Sequence, residues 1–212
     1  MILYHGSGRT VAEPKLQTDA AKKELGSGFY LTPDFAQAAA AARTRVRREQ
    51  RLLEKKPDYD RGVVSTFELD ETVPLKVFRF ESTTAEWLQF AAVNFKNDVY
   101  REQLTQNILS RYSDYDVIIG KRPDDHTSMI LTAYLAESYG TPESADAINS
   151  ALSHIFPEQL SEQYCFRTEQ AIHALKFQKK DAPMGASSKK FTADRALTMA
   201  AQMLAAEQGI SG

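Results

Sequence analysis

The sequence predicts an α+β fold whose sheet is mostly antiparallel. Two observations carry this expectation. Six or seven short β-type runs are spread along 212 residues. Helical segments separate some of them, but without the regular alternation that a doubly wound parallel sheet needs. The length suits one domain of ordinary size, alone or with an appendage. Apolar residues make up 42% of the chain, enough for a packed core. The balance of 26 basic against 28 acidic residues, net −2, gives no overall field toward nucleic acid or an anionic membrane. A local basic patch stays open.

In chain order, Ile2 to His5 is a short strand ending in the turn Gly6-Ser7-Gly8. Residues 9–25 lack periodicity and read as a loop, with Pro14 stopping an early helix. Gly28 to Thr32 is a second strand. Four of the ten glycines stand at 6, 8, 26 and 28, where backbone passes close to a ligand or takes positive φ. Thr32 then caps a helix, with Pro33 at its first position and Asp34 at its positive end. That helix passes through Phe35, the alanines 38–42, Val46, Leu52 and Leu53 and ends before Pro57. Its Arg43, Arg45, Arg47, Arg48, Arg51, Lys55 and Lys56 spread around most of the circumference, at about 100° per residue. Such a distribution fits a solvated helix better than a nucleic-acid groove.

Val63 to Leu69 and Leu75 to Phe80, separated by Asp70-Glu71-Thr72, read as a hairpin. Thr83-Thr84-Ala85-Glu86 is a capping box opening a helix through Trp87, Leu88, Phe90, Ala91 and Phe95. Helical spacing continues over 97–112. Tyr115 to Gly120 is the most apolar run and reads as a central strand. A helix follows from His126 to about Tyr139, capped by Asp125, and Thr141-Pro142-Glu143 starts another. Glu162 to Thr168 is a strand, Glu169 to Ala174 a short helix, and Leu175 to Gln178 a last strand. Residues 179–191, with four lysines, Pro183 and Gly185, form a linker. Residues 192–208 form a final helix whose alanine-rich face needs cover: the body, a second copy or a protein partner.

Several functions are set aside on composition and motif. The lone Cys165 excludes an intramolecular disulfide, suits a reducing compartment and reads as an inert core thiol. The chain starts without a basic n-region, and no apolar run approaches a membrane span, so a soluble cytoplasmic protein is expected. Gly6-Ser7-Gly8 lacks the helix that a dinucleotide-binding turn requires. His5, His126, His154 and His173 show no zinc spacing, and no metal is expected.

A constellation remains. Tyr4-His5-Gly6-Ser7, followed by Gly26-Ser27-Gly28-Phe29-Tyr30-Leu31-Thr32 and Gln37-Ala38, resembles the first two motifs of the ADP-ribosyltransferases that use a His–Tyr–Glu triad. More closely, the chain resembles a bacterial family of proteins of unknown function assigned to that fold. Glu86-Trp87-Leu88 with Phe90, Tyr115 to Gly120 with Asp124-Asp125, and Gln163 to Thr168 leading to Leu175-Lys176-Phe177 match that family in order. The resemblance covers residues 1–178. It implies a split, strongly bent, mostly antiparallel sheet with flanking helices, gripping NAD+ as a substrate. His5 would hydrogen-bond a ribose hydroxyl, the Gly6 backbone would hold the nicotinamide amide, and Tyr30 would stack on the nicotinamide ring. Ser7, Gly28 and Phe29 complete the implied NAD+-binding set.

Two departures matter. Ala41 stands where that family carries an aromatic, which thins one wall of the nicotinamide slot. Gln163 stands in place of the triad acid, and strand parity puts it on the opposite face from Glu162. Glutamine holds a ribose hydroxyl but offers no charge to an oxocarbenium-like transition state. Asp125 and Glu162 are the candidates to supply that charge. The implied function is NAD+-dependent ADP-ribosyl transfer to an unidentified macromolecule, protein or nucleic acid, as an intracellular toxin or effector would do. An NAD+ hydrolase and a catalytically silent NAD+ or ADP-ribose-binding module are the alternatives, the second favoured by Gln163 and Ala41.

Overall fold

The strands divide into two sheets, and the division follows where each run can cover its apolar residues. A computed structural model describes residues 1–16, 23–52, 62–95 and 102–181. Their strands are β1 (Ile2–Ser7), β2 (Phe29–Leu31), β3 (Val63–Leu69), β4 (Val77–Arg79), β5 (Val117–Lys121), β6 (Glu162–Phe166) and β7 (Leu175–Asp181). The helices are α1 (Phe35–Leu52), α2 (Ala85–Phe95), α3 (Glu102–Ser110), α4 (Asp125–Leu135), α5 (Ala145–Leu152) and α6 (Glu169–His173). One sheet has the order β1-β3-β7, the other β2-β6-β5-β4. Every pairing is antiparallel except β4 with β5. The fold is α+β, as expected. The sheets touch at an isolated bridge, where Tyr4 N donates to Thr32 O at 2.8 Å and Thr32 N to Tyr4 O at 3.0 Å.

Side-chain alternation along the strands builds three apolar clusters. On one face of the second sheet, Tyr30, Ile118 and Cys165 pack with Trp87, Leu88 and Phe90 of α2 and Leu131 of α4. On the other, Leu31, Ile119, Tyr164 and Phe166 pack against Leu3 and Phe67 of the first sheet. The outer face of the first sheet meets α1 through Tyr4, Phe35, Ala38, Ala39 and Val64. Alanine here is a distance-setting residue: it lets the helix lie directly on β1.

The expected hairpin does not form. Val63 to Phe67 are all buried, so β3 needs cover on both faces and a partner on both edges, and β1 and β7 supply the partners. Asp70 forms a turn with Thr72 N at 3.1 Å, and the chain then crosses to the other sheet. Lys76 N donates to Asp116 Oδ2 at 2.8 Å, and Asp116 N to Lys76 O at 2.8 Å. That exchange seats β4 parallel to β5.

The last strand also runs longer than its apolar pattern. A register shift between Thr66 and Phe67 lets Lys179, Lys180 and Asp181 pair with Thr66, Ser65 and Val64. The expected linker therefore cannot begin at 179. Lysines on a sheet edge discourage pairing with a second chain. The rest of that segment and the helix expected over 192–208 lie outside the described residues.

Four caps differ by a residue or more. Asp34, not Thr32, caps α1, accepting from Ala36 N at 2.7 Å and Gln37 N at 3.3 Å. Asp124, not Asp125, caps α4, accepting from Thr127 N at 2.7 Å. Ser144, not Thr141, caps α5. Thr84 accepts from Trp87 N at 3.3 Å, while Glu86 is taken by the Tyr112 hydroxyl at 2.6 Å and does not close the box. None of the described helices is long and apolar enough to cross a membrane.

Candidate functional site

Past the Tyr4–Thr32 bridge, β1 and β2 diverge, and the start of α1 walls the gap. The result is a cleft of ≈ 320 Å³. His5 and Gly6 come from β1, Tyr30 from β2, and Gln163 from the head of β6. Gln37, Ala41, Arg45 and Arg48 present one stripe of α1, at three- and four-residue spacing. Lys23 and Glu24 arrive from the loop before β2 and Arg122 from the exit of β5.

His5 lies at the seam between the sheets. Its Nδ1 is 2.8 Å from the carbonyl oxygen of Tyr30. A carbonyl only accepts, so Nδ1 carries the proton and Nε2 is the acceptor of the neutral ring. Phe29 stacks on the ring with centroids 4.5 Å apart. Burial holds the imidazole down to about 4, against the Tyr30 hydrogen bond and with help from Lys23 and Arg45. The unfolded chain therefore binds a proton between its ordinary 6.5 and about 4 that the folded chain refuses. Stability present above that window is lost as pH falls through it, by at most about 3 kcal/mol. Urea melts at about pH 7 and about pH 4.5 check this, and His5→Gln should flatten the difference; an equal slope in the variant removes His5 as its cause.

Tyr30 is 8% exposed. Its hydroxyl donates to Gly26 O at 2.6 Å and accepts from Leu25 N at 3.2 Å. Burial pushes that hydroxyl well above its ordinary range, so Tyr30 is a clamp and a ring surface, not a proton carrier. The Lys23 ammonium lies over the ring, 4.3 Å from its centroid. Cys165, opposite Tyr30 in register, is pushed up to about 12 by burial and stays a thiol.

Two cleft amides are unsatisfied. Gln163 Oε1 and Gln37 Nε2 are buried with no hydrogen-bond partner among the described residues. The Thr32 hydroxyl accepts from Asp34 N at 3.1 Å and donates to Gln37 Oε1. Gln37 Nε2 is the end of that amide left without a partner among those residues. A buried, unpaired polar group costs about 1–3 kcal/mol, and a ligand that pairs it recovers that energy.

Charge is also unbalanced. Arg45 Nε bonds Glu49 Oε1 at 2.8 Å. Lys23, Arg48 and Arg122 then face one lining carboxylate, Glu24. A wider groove of ≈ 790 Å³ crosses the outer face of β1-β3-β7. Its charged groups already pair with neighbours, Lys179 with Asp181 at 3.1 Å and Glu68 with Gln178 at 2.8 Å. The smaller cleft is the one into which unpaired buried amide atoms and surplus cations are gathered among the described residues.

Several expected residues stand elsewhere. Asp125 is exposed in the first turn of α4 and does not line the cleft. Glu162 points to the other face of β6, where it pairs with Arg79. Ser7 bonds the Arg9 carbonyl, and Phe29 is buried behind His5. The glycines at 6 and 28 have a packing reason. A Cβ on Gly6 would lie 1.8 Å from Ala38 O, and one on Gly28 would lie 2.5 Å from Phe166 O. Of these, Gly6 reaches the cleft lining. Arg45 and Arg48, which the sequence assigns to a solvated helix, line the cleft, and the helical spacing from Gln37 is the signal for them; Lys23, Glu24 and Arg122 line it without a local signal.

Over residues 1–177 the sequence matches the family described as Protein of unknown function (DUF3990). The chain belongs to that family. The match takes in every element from β1 into the start of β7, and with them every lining residue of the cleft. Comparison of this DUF3990 chain with curated proteins and with solved structures returns no match.

Proposed function

We propose that this DUF3990 member is an NAD+-dependent ADP-ribosyltransferase acting on an unidentified macromolecule. One observation carries the reading: His5, Tyr30 and Gln163, far apart in sequence, line one cleft with a surplus of cations. The pyrophosphate of a dinucleotide carries two negative charges, which Lys23, Arg48 and Arg122 offset beyond Glu24. The Tyr30 face that holds the Lys23 ammonium also suits a nicotinamide cation. Gln163 Oε1 can accept from a ribose hydroxyl and Gln37 Nε2 can donate to a phosphate or carboxamide oxygen. Nicotinamide departs as a neutral molecule, so its leaving needs no acid. Ring stacking, exclusion of water and ribose hydrogen bonds then favour an oxocarbenium-like transition state.

A catalytically silent NAD+-binding module is the second reading. Gln163 in the cleft, with Glu162 turned away to Arg79, favours it. Calorimetry with NAD+ and nicotinamide release with and without cell extract separate the readings. Transfer needs the extract, hydrolysis of NAD+ does not, and a silent binder shows binding alone. Affinity is expected between micromolar and millimolar, as an order of magnitude. Gln163→Ala should lower nicotinamide release about 10- to 100-fold, the worth of one hydrogen bond to a buried partner. An unaltered rate in that variant places Gln163 outside the site.

A further inference from the structure

We propose that Glu24 is the general base of the cleft, taking the proton from the hydroxyl or water that attacks C1′ of the ribose. The inference rests on the NAD+ reading and names the carboxylate that Gln163 does not supply. Asp125 and Glu162 lie outside the lining, and Glu24 is the acid within it among the described residues. Arg122 and Lys23 are the cations that act on it.

Its position is built by four contacts. Gly26 N donates to Lys23 O at 2.9 Å, closing a turn with Glu24 at its second position. Gly26 holds φ at +86°, the left-handed region glycine favours. The Tyr30 hydroxyl clamps Leu25 N and Gly26 O. Leu25 Cδ2 then comes within 3.1 Å of where a Cβ on Gly120 would sit, and Gly120 pairs in register with Gln163. The turn is laid over the strand end that carries Gln163. These contacts fix the backbone of the turn from which Glu24 lines the cleft.

Burial raises the Glu24 carboxyl above its ordinary range, partly opposed by a hydrogen bond from its own backbone N–H and by Arg122 and Lys23. The other charged or titratable groups of the cleft are Arg45 and Arg48 from α1, His5 and Tyr4 from β1, and Tyr30 from β2. A weakened acid is a stronger base, and it suits proton transfer nearer neutral pH. In the step, the bond from C1′ to the nicotinamide nitrogen breaks and its electron pair leaves on neutral nicotinamide. A lone pair of the acceptor oxygen forms the new bond to C1′. The acceptor's proton passes to Glu24 and then to solvent.

The test follows nicotinamide release from NAD+ by the full chain, with cell extract as acceptor, from about pH 5 to 9. Glu24→Gln should bind NAD+ within about threefold of wild type by calorimetry. It should release nicotinamide about 10²- to 10⁴-fold more slowly and lose the acid limb of the wild-type profile. Formate should restore part of the rate in Glu24→Ala, a rescue that a structural role would not give. A Glu24→Gln rate near wild type at every pH overturns the assignment and leaves the NAD+ reading standing. Wild type that binds NAD+ without turnover overturns it also, in favour of a silent binder. Wild type that neither binds NAD+ nor releases nicotinamide overturns both.

Discussion

Gly6→Ala is expected to destabilise the protein by about 3 kcal/mol or more, at or past the upper end for overpacking. The new Cβ would stand 1.8 Å from Ala38 O and 2.9 Å from Ala42 N, both backbone atoms of α1. No rotamer change relieves such a contact, so the helix must lift off β1. For a chain of this size the melting temperature should fall by roughly 6–12 °C. Gly140→Ala is the matched comparison. Its φ is +107° but the nearest atom to a new Cβ is 3.8 Å away, so backbone strain alone should cost about 1–2 kcal/mol. Because α1 also carries Gln37, Ala41, Arg45 and Arg48, ligand affinity should fall with stability in the Gly6 variant. Equal melting temperatures for wild type and Gly6→Ala would contradict the direct seating of α1 on β1.

Trp87→Ala should cost about 3–5 kcal/mol. Trp87 is fully buried, and its Nε1 donates to Lys121 O at 3.2 Å. Truncation leaves a large cavity and strands that carbonyl, two losses that add. Trp87→Phe keeps much of the ring volume and should lose roughly half as much. The urea midpoint should shift with little change in slope. A loss under about 1 kcal/mol in Trp87→Ala would show that the site relaxes and that the indole is not a main support. The indole also lies 3.4 Å from where a Gly120 Cβ would sit. Its loss should therefore loosen the floor beneath Gln163, and on the proposed NAD+ reading the folded fraction should bind NAD+ more weakly.

The local signals read well. β1, β2, β5, β6, α2 and α4 stand where alternation, caps and apolar spacing put them, within a few residues. The caps missed by a residue or more, at Asp34, Asp124, Ser144 and Thr84, are cases where nearby residues offer similar side-chain chemistry. Strand partners read poorly. β3 and β4 are neighbours in sequence with a good turn between them, yet Asp116 and a strand beginning at Leu175 claim them separately. The cleft was half legible. His5, Tyr30 and Gln163 emerged as a set from ordered motifs, whereas Lys23, Glu24 and Arg122 sit in segments whose local pattern says only loop.

Composition and periodicity are properties of neighbouring residues, and they settled what neighbours can settle. One cysteine rules out an intramolecular disulfide. Alternation on β6 puts Gln163 and Glu162 on opposite faces before any partner strand is known. Which of those faces opens on the cleft is a different matter, because it depends on what covers each side. Arg79, 83 residues from Glu162, takes one face, and the turn at Lys23–Gly26, clamped by Tyr30, takes the other. The same holds for α1, whose arginines ring the helix in sequence. Ala38 pressed against Gly6 turns Arg45 and Arg48 toward His5. Contacts between distant segments release most of the burial energy, and so they choose the face.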